Sequence, residues 1–466
     1  LHFTIHSFPT RRSSDLLEAL RERGLLIRNA PHLVMNQAFI VPNYEWWDGP
    51  FYGAGMKVYD LLAGKLGLGP SRHLSKEETL KRIPTLEPKR LRGGVIYHDG
   101  QFDDSRLAVN LAQTMNDQGG LPINYMQVTD LLRSGGMIDG VLVRDMEKGF
   151  DHRIHGRVVI NATGVFTDNI LKMENPGAKP IIIPSQGIHL VLDKEFLPGE
   201  SAVMVPQTAD GRVLFAVPWH DKVVVGTTDT EVPKPELEPK PLEEEIQYLL
   251  EHAALYLSRD PDRGDVKSVF AGLRPLVKAK DVESTASISR DHSLVVSKSG
   301  LVTITGGKWT TYRKMAEETV DQALLVAGLE ERETVTKTLR IHGWLKHVDR
   351  QDPFHHYGSD ALHIKKLAQA DPELGEKLHP DLPYIKAEVV WAVREEMARS
   401  VEDVLARRSR ALLLDARASL DMAQETARLM ARELGRDEAW QRAQVEAYQK
   451  LAAAYILTPS EGYSRY

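Results

Sequence analysis

A β-branched run, Val302-Thr-Ile-Thr305, stops at the pair Gly306-Gly307, and apolar positions then fall at Tyr312, Met315, Ala316, Thr319, Ala323, Leu324 and Ala327. Such a run followed by three-and-four spacing predicts a buried strand, a tight turn and a helix. Thr310 or Thr311 suits the helix N-cap, and Gly328 suits its exit. Upstream, Asp103-Asp104-Ser105 caps a predicted helix carrying Leu107, Ala108, Leu111 and Met115, which Gly119-Gly120 ends. Leu121 to Val128 reads as a strand. A hairpin is expected at Gly135-Gly136, with Val141 to Val143 on one arm and Arg157 to Ile160 on or near the other. Ile181 to Thr228 is β-rich, with runs at Ile188–Leu192, Val213–Val217 and Val223–Val225 separated by turn residues. Prolines 233, 235, 239 and 241 mark a linker into a helix from Leu242 to Leu257. A further β-like stretch runs from Val266 to Thr305. After about Leu339 the chain turns to charged helices, the clearest being Ala387 to Leu414, with Val390, Val393, Met397, Val401, Val404 and Leu405 on one face.

Composition narrows this picture only in places. The 466 residues are too many for one core. With 42% hydrophobic and 27% charged residues the chain reads as an ordinary globular protein. A net charge of -6 argues against nucleic acid as a partner, and Arg407-Arg408-Ser409-Arg410 reads as a solvated or interface face. The chain contains no cysteine, which excludes disulfides, a thiolate nucleophile and cysteine-held metal clusters; a cytoplasmic location is the simpler reading. No apolar run approaches the ~20 residues of a membrane-spanning helix. Phe51 to Leu68 is amphipathic, with Met56, Val58, Leu61, Leu62 and Leu66 beside Lys57 and Lys65. It reads as a packed surface helix, with peripheral membrane contact as the alternative.

Polar and cationic residues gather beside glycines and strand ends. The Gly306-Gly307 turn lets a flat ligand approach the backbone, the following helix start offers N–H groups and a positive dipole end, and Lys308 adds a charge. Gly187-Ile188-His189 stands at a predicted strand start, and Gly226-Thr227-Thr228-Asp229 closes another strand. Gly272-Leu273-Arg274-Pro275-Leu276 places an arginine in a rigid turn, and Ser289-Arg290-Asp291-His292 places a second at a strand start. Taken singly, each has a plain structural reading, such as an arginine paired with Asp291 or Glu283. Together, two arginines and a lysine suit a dianionic phosphate, which guanidinium forks grip in bidentate fashion.

Gly272-Leu-Arg-Pro-Leu276, Ser289-Arg-Asp291 and Gly306-Gly-Lys-Trp-Thr-Thr-Tyr-Arg-Lys314, in this order and spacing, resemble the FAD-dependent glycerol-3-phosphate dehydrogenases. Asn161-Ala-Thr-Gly164, Gly226-Thr-Thr-Asp229, Ala387 to Arg399 and Asp403 to Arg408 match as well. The resemblance runs from about Leu17 to past Arg417. It implies an α/β fold in which a Rossmann-like FAD-binding domain is interleaved with an antiparallel substrate-binding sheet, within 17–338, followed by a helical C-terminal domain, 339–466. It implies FAD along Gly306, Gly307, Lys308, Thr310 and Thr311, with Val128 at the adenosine end and Thr163 and Gly164 near the dinucleotide. Arg274, Arg290 and Lys308 become the substrate clamps and His189 the candidate base, with Lys308 an alternative. The implied reaction oxidises glycerol 3-phosphate to dihydroxyacetone phosphate and passes electrons to a quinone. An oxidase using oxygen and a non-catalytic binding protein are the alternatives; peripheral contact with the inner membrane face and a homodimer stay open.

One departure from the family pattern stands out. Members open with a strand, a Gly-x-Gly-x-x-Gly turn and a helix, a ~30-residue unit. Here Gly53-Ala54-Gly55 is followed by Met-Lys-Val, with no buried strand before it and no third glycine. Leu1 to Leu16 has neither periodicity nor a targeting layout and is expected to be non-native, the natural sequence starting at Leu17 within a helix. The expectation is therefore a truncated polypeptide that holds FAD weakly or not at all.

Overall fold

A computed structural model describes residues 13–63, 67–206, 212–278 and 292–458. The chain runs through α1 (Ser13–Asn29), β1 (Val34–Asn43), α2 (Asp48–Ala63), β2 (Arg72–Ser75), α3 (Lys76–Arg82), β3 (Gly93–Phe102) and α4 (Asp104–Asp117). There follow β4 (Met126–Ser134), β5 (Met137–Asp145), β6 (Asp151–His155), β7 (Ile160–Asn161), α5 (Thr167–Glu174) and β8 (Ile182–Asp193). Next come β9 (Ala202–Val205), β10 (Leu214–Trp219), β11 (Lys222–Gly226), β12 (Thr230–Glu231), α6 (Glu243–Ala254) and β13 (Ser268–Val277). β14 (His292–Val296), β15 (Val302–Gly306) and α7 (Tyr312–Val326) precede α8 (Ala361–Ala370) and α9 (Lys386–Glu395). The last elements are α10 (Ala411–Leu414), α11 (Ala416–Leu434) and α12 (Glu438–Ala453).

Among the described residues the strands form three sheets. The largest has nine strands, ordered β2-β3-β1-β9-β10-β11-β8-β13, with β12 continuing beside β8 where β11 leaves it. Its pairs are antiparallel apart from β1 with β9. A second sheet, β14-β15-β7, pairs β15 and β7 in parallel; the third is the β4-β5-β6 meander.

Period-two alternation along β8 places the functional site. Ile188, Leu190 and Leu192 point to one face and pack with Ile246, Leu249, Leu250 and Ala253 of α6. Each of these three β8 side chains is at most 1% exposed, and such burial is worth about 1.5–3 kcal/mol apiece. Val191, on the opposite face, joins Val224 and Trp219 in a core with the C-terminal helices. Gly187 and His189 share that second face. The large sheet is thus sandwiched between α6 and the C-terminal helices, and the site face looks toward the latter.

Local signals were legible. Asp103 caps α4, its carboxylate accepting from Arg106 N at 2.9 Å. Gly135 and Gly136, both with positive φ, turn the β4–β5 hairpin. Gly328 takes φ 61° just past α7.

Other expectations are corrected. Leu121 to Tyr125 is irregular, and the strand begins at Met126. Arg157 to Ile160 leaves the hairpin for another sheet, and β6 takes its place against β5. Neither Thr310 nor Thr311 caps α7 with its side chain; a 3₁₀ turn precedes the helix, and the Thr311 hydroxyl donates back to Lys308 O at 3.1 Å. The single helix expected over Ala387 to Leu414 is three pieces: α9, a π-helical turn at Asp403–Arg408, and α10. Met397 and Arg410, with φ of 58° and 66°, interrupt it. Arg410 is anchored outside the C-terminal helices, donating to Ser105 Oγ at 2.7 Å and Asp104 Oδ1 at 3.1 Å. Arg410 thus joins these helices to α4, while Arg407 and Arg408 bond to Glu402, Asp403 and Glu396 within the C-terminal part.

Among the described residues no helix is long and apolar enough to cross a membrane. Gly53 and Gly55 lie inside α2, so they form no phosphate-binding turn. Met56 is buried in the core and Lys57 donates to Ser71 O at 2.7 Å, as expected of a packed helix. The side chains of 58–66 lie outside the described residues, as does Leu1 to Arg12.

Candidate active site

His189 sits mid-strand in β8 rather than at its start, and its neighbours on both sides are shaped around it. On one side it pairs with Phe270 of β13, whose ring stacks on the imidazole with centroids 5.2 Å apart at 19°. On the other it pairs with Gly226 of β11. A Cβ there would stand 2.2 Å from His189 Cδ2, so the imidazole occupies the space a side chain would need.

Two residues earlier the device repeats. Gly187 pairs with Gly272, and a Cβ at Gly187 would stand 2.4 Å from Arg274 Nη2 and 2.6 Å from Nη1. The Arg274 guanidinium therefore lies flat over a glycine. Arg274 belongs to β13 and not to a turn. The Gly and Pro around it suggested a turn, but β13 pairs only with β8 among the described strands, and proline is tolerated on such an edge strand. Its fork is held: Nη1 donates to Thr228 O at 3.1 Å, Nη2 donates to Thr227 Oγ1 at 3.0 Å, and Asp229 Oδ1 lies 3.8 Å from Nη1. Burial lowers the pKa of this guanidinium, while Asp229 and Glu245 oppose the shift.

The Gly306-Gly307 turn comes from the other sheet. β15 delivers Gly306 and Gly307, with φ of 77° and 75°, a conformation that favours glycine. Lys308 follows in extended conformation and Thr310 is buried. His189, Arg274, Thr227, Gly306, Gly307, Lys308 and Thr310 all line one cavity of about 1020 Å³. Typical ligand pockets hold about 300–1,000 Å³, so this one accommodates a ring system together with a small substrate. Gly272 opens onto it with no atom within 4 Å of where a Cβ would stand. The residues present therefore fit the pyrimidine side of a flavin: backbone free of side chains, a helix start and a lysine.

Not every expected residue reaches the cavity. Thr311 is buried beside it, and Val128 packs in the cluster of Leu131, Ile138 and Leu301. Thr163 and Gly164 do not line it, although Ile160 and Ala162 of the same segment do. That turn is tied to β15 by Thr167, whose hydroxyl donates to Gly164 O at 2.7 Å and lies 3.3 Å from Thr305 Oγ1. Arg290 lies outside the described residues. Sequence reasoning passed over Phe270 and Thr227 as site residues; Thr227 stood inside a segment already singled out, and Phe270 is detectable only once β13 is paired with β8. The C-terminal wall, with Glu402, Arg407, Arg410 and Tyr455, was also missed, because nothing local ties those residues to the distant strands they face.

Comparison with known proteins gives this arrangement a class. The model of FAD dependent oxidoreductases matches residues 5–313, and the C-terminal domain of alpha-glycerophosphate oxidase matches 300–441. The chain belongs to the FAD-dependent oxidoreductase family, whose cofactor is FAD. Within it, the chain is 39% identical over 454 residues to a protein of Caenorhabditis elegans named probable mitochondrial glycerol-3-phosphate dehydrogenase, covering 92% of this chain and 63% of that relative. It is 37% identical to the mitochondrial glycerol-3-phosphate dehydrogenase of Arabidopsis thaliana, covering 92% of this chain and 74% of that relative. The crystal structure of the glycerol-3-phosphate dehydrogenase from Bacillus halodurans complexed with FAD superposes with a TM-score of 0.78 at 26% identity, covering 95% of this chain and 87% of that one. The chain thus spans 63% of the length of the nematode relative.

Proposed function

We propose that this chain carries the substrate site of an FAD-dependent glycerol-3-phosphate dehydrogenase. The observation that carries the reading is that His189, Arg274 and Lys308, from three different strands or strand ends, line one cavity with the Gly306-Gly307 turn. Arg274 supplies a fixed fork for a dianionic phosphate, and Lys308 a second positive charge. Arg290 belongs to the same proposed clamp. His189, held between Phe270 and Gly226, accepts the proton of the C2 hydroxyl as the C2–H bond breaks. FAD would supply the hydride acceptor for the C2 hydrogen, and glycerol 3-phosphate would then leave as dihydroxyacetone phosphate. Gly306, Gly307, Lys308, Thr310 and Thr311 would hold the pyrimidine edge, with Val128 at the adenosine end and Thr163 and Gly164 close to the dinucleotide. Lys308 and the helix start favour negative charge there.

The experiment is turnover of glycerol 3-phosphate with an artificial electron-accepting dye after FAD is added to the purified chain. Activity lost in Arg274→Ala and in Lys308→Ala supports the assignment; unchanged kinetics in both would refute it. A quinone is the proposed acceptor, which places the protein beside a lipid surface. Support comes from Trp46, Trp47 and Phe51, which are 70%, 51% and 60% exposed at the head of α2. Sedimentation with anionic vesicles, lost when these three become serine, tests that contact. The oxidase reading draws on the family description matched at residues 300–441, and peroxide released during turnover would favour it.

A further inference from the structure

Arg274 is gripped by a turn whose own supports, Thr228, Glu245, Gln186 and Ser185, do not line the cavity. Thr228 is fully buried, and its hydroxyl donates to Glu245 Oε1 at 2.7 Å while accepting from Ile188 N at 3.0 Å. Glu245, 2% exposed, uses its other oxygen to accept from Gln186 Nε2 at 2.8 Å and Leu242 N at 3.1 Å. The Thr227 hydroxyl donates to Thr228 O at 3.2 Å and receives Arg274 Nη2. Ser185, buried directly beneath, donates to Asp229. A carboxylate this deep is costly unless every oxygen is bonded; here one oxygen serves the 227–229 turn through Thr228, and the other serves Gln186 and the head of α6. That turn presents all three groups that hold the guanidinium.

We propose that Glu245, acting through the Thr228 hydroxyl, is a positioning residue for phosphate recognition. It fixes the 227–229 turn so that Thr227 Oγ1 and Thr228 O hold the Arg274 fork flat over Gly187 before the phosphate arrives. The α6 start, where Glu245 also caps the helix, is thereby coupled to the substrate site. A pre-ordered fork spares the ligand the cost of immobilising a long side chain. This inference rests on the phosphate reading of Arg274.

The test is calorimetric titration of glycerol 3-phosphate into this chain, which needs no flavin. Thr228→Val keeps the volume and removes the hydroxyl, and should weaken binding by about tenfold, the effect of one hydrogen bond in a charged network. Thr228→Ser, which restores the hydroxyl, should bring affinity back to within about twofold. Glu245→Gln should weaken binding similarly, because its amide confronts the Gln186 amide; it carries the test should Thr228→Val fail to fold. Lowered melting temperature with unchanged affinity in both variants overturns the positioning role, as does a Thr228→Ser variant as weak as valine. If Arg274→Ala abolishes binding while Thr228→Val and Glu245→Gln do not alter it, the positioning role fails and the phosphate reading stands. A wild-type chain that takes up no glycerol 3-phosphate overturns both.

Discussion

The sheet wall of the cavity and the wall made by the Gly306-Gly307 turn, the proposed flavin-turn wall, hold their chemistry by different means. On the sheet wall, side chains do the work: Arg274 is held by three groups, and the carboxylate behind them has three hydrogen bonds of its own. The strands beneath belong to a nine-stranded sheet packed on both faces. On the flavin-turn wall, backbone does the work: two left-handed glycines hang from a three-stranded sheet, next to Val295, Val320 and Leu325, each at least half exposed. A fixed point charge must be matched by a charge held still, which takes buried networks. A flat ring needs close backbone and a dipole, which glycines and a helix start provide.

The strongest way to break this contrast is at the sheet wall. Arg274→Ala removes the charge that the network serves and leaves Asp229 without its guanidinium. Affinity for glycerol 3-phosphate should fall by on the order of 100-fold in calorimetric titration, and a loss below threefold would show that the network serves something else. Gly226→Ala comes next. Its new Cβ meets His189 at 2.2 Å against a strand that cannot retreat, so the imidazole must leave its stack on Phe270. Turnover with added FAD should drop by on the order of 100-fold, the worth of a general base, while phosphate affinity stays within about threefold. Equal losses in both would mean that His189 positions the substrate and is not the base.

A smaller effect belongs to the other wall. Gly307→Ala meets Met315 Sδ at 2.5 Å, but that is the far end of a flexible side chain. The cost is then mainly the left-handed backbone, about 1–2 kcal/mol. Melting temperature should fall by a few degrees, about 2–4 °C per kcal/mol in larger domains, and the visible absorbance of added FAD should weaken. Glycerol 3-phosphate affinity should not change; if it falls with the flavin, the two walls are not independent.

The same division governs what could be read from the chain. The Gly306-Gly307 turn, the α7 exit at Gly328 and the Asp103 cap are local devices, each specified within a few residues. The sheet wall is not local. His189 acquires its meaning from Gly226 and Phe270, far apart in sequence and adjacent only through β-pairing. Arg274 reads as a turn residue until its strand is placed at the sheet's end. The break in the expected Ala387–Leu414 helix has the same origin: Arg410 turns back to reach Asp103 and Asp104, a tertiary pull that overrides an unbroken apolar stripe.

Acid separates the two walls most gently. Beside the flavin turn, Glu318 Oε2 lies 2.6 Å from His292 Nε2, and Oε1 lies 3.1 Å from Lys314 Nζ, joining β14 to α7. Burial would raise this carboxyl, but the bonds from His292 and Lys314 outweigh it and hold it below its usual range. A depressed carboxyl contributes stability above its unfolded value of about 4.3 and loses it as pH falls through the lower folded value. Below about pH 4 the flavin side should therefore loosen, and the Met315 methyl, packed on Gly307, reports it. In carbon-detected NMR that resonance should move on acidification in the wild type and hold in Glu318→Gln. The Met204 methyl, buried under the sheet wall, should hold in both. Methyls moving together would mean that acid opens the cavity as one unit, and that the walls differ in chemistry but not in stability.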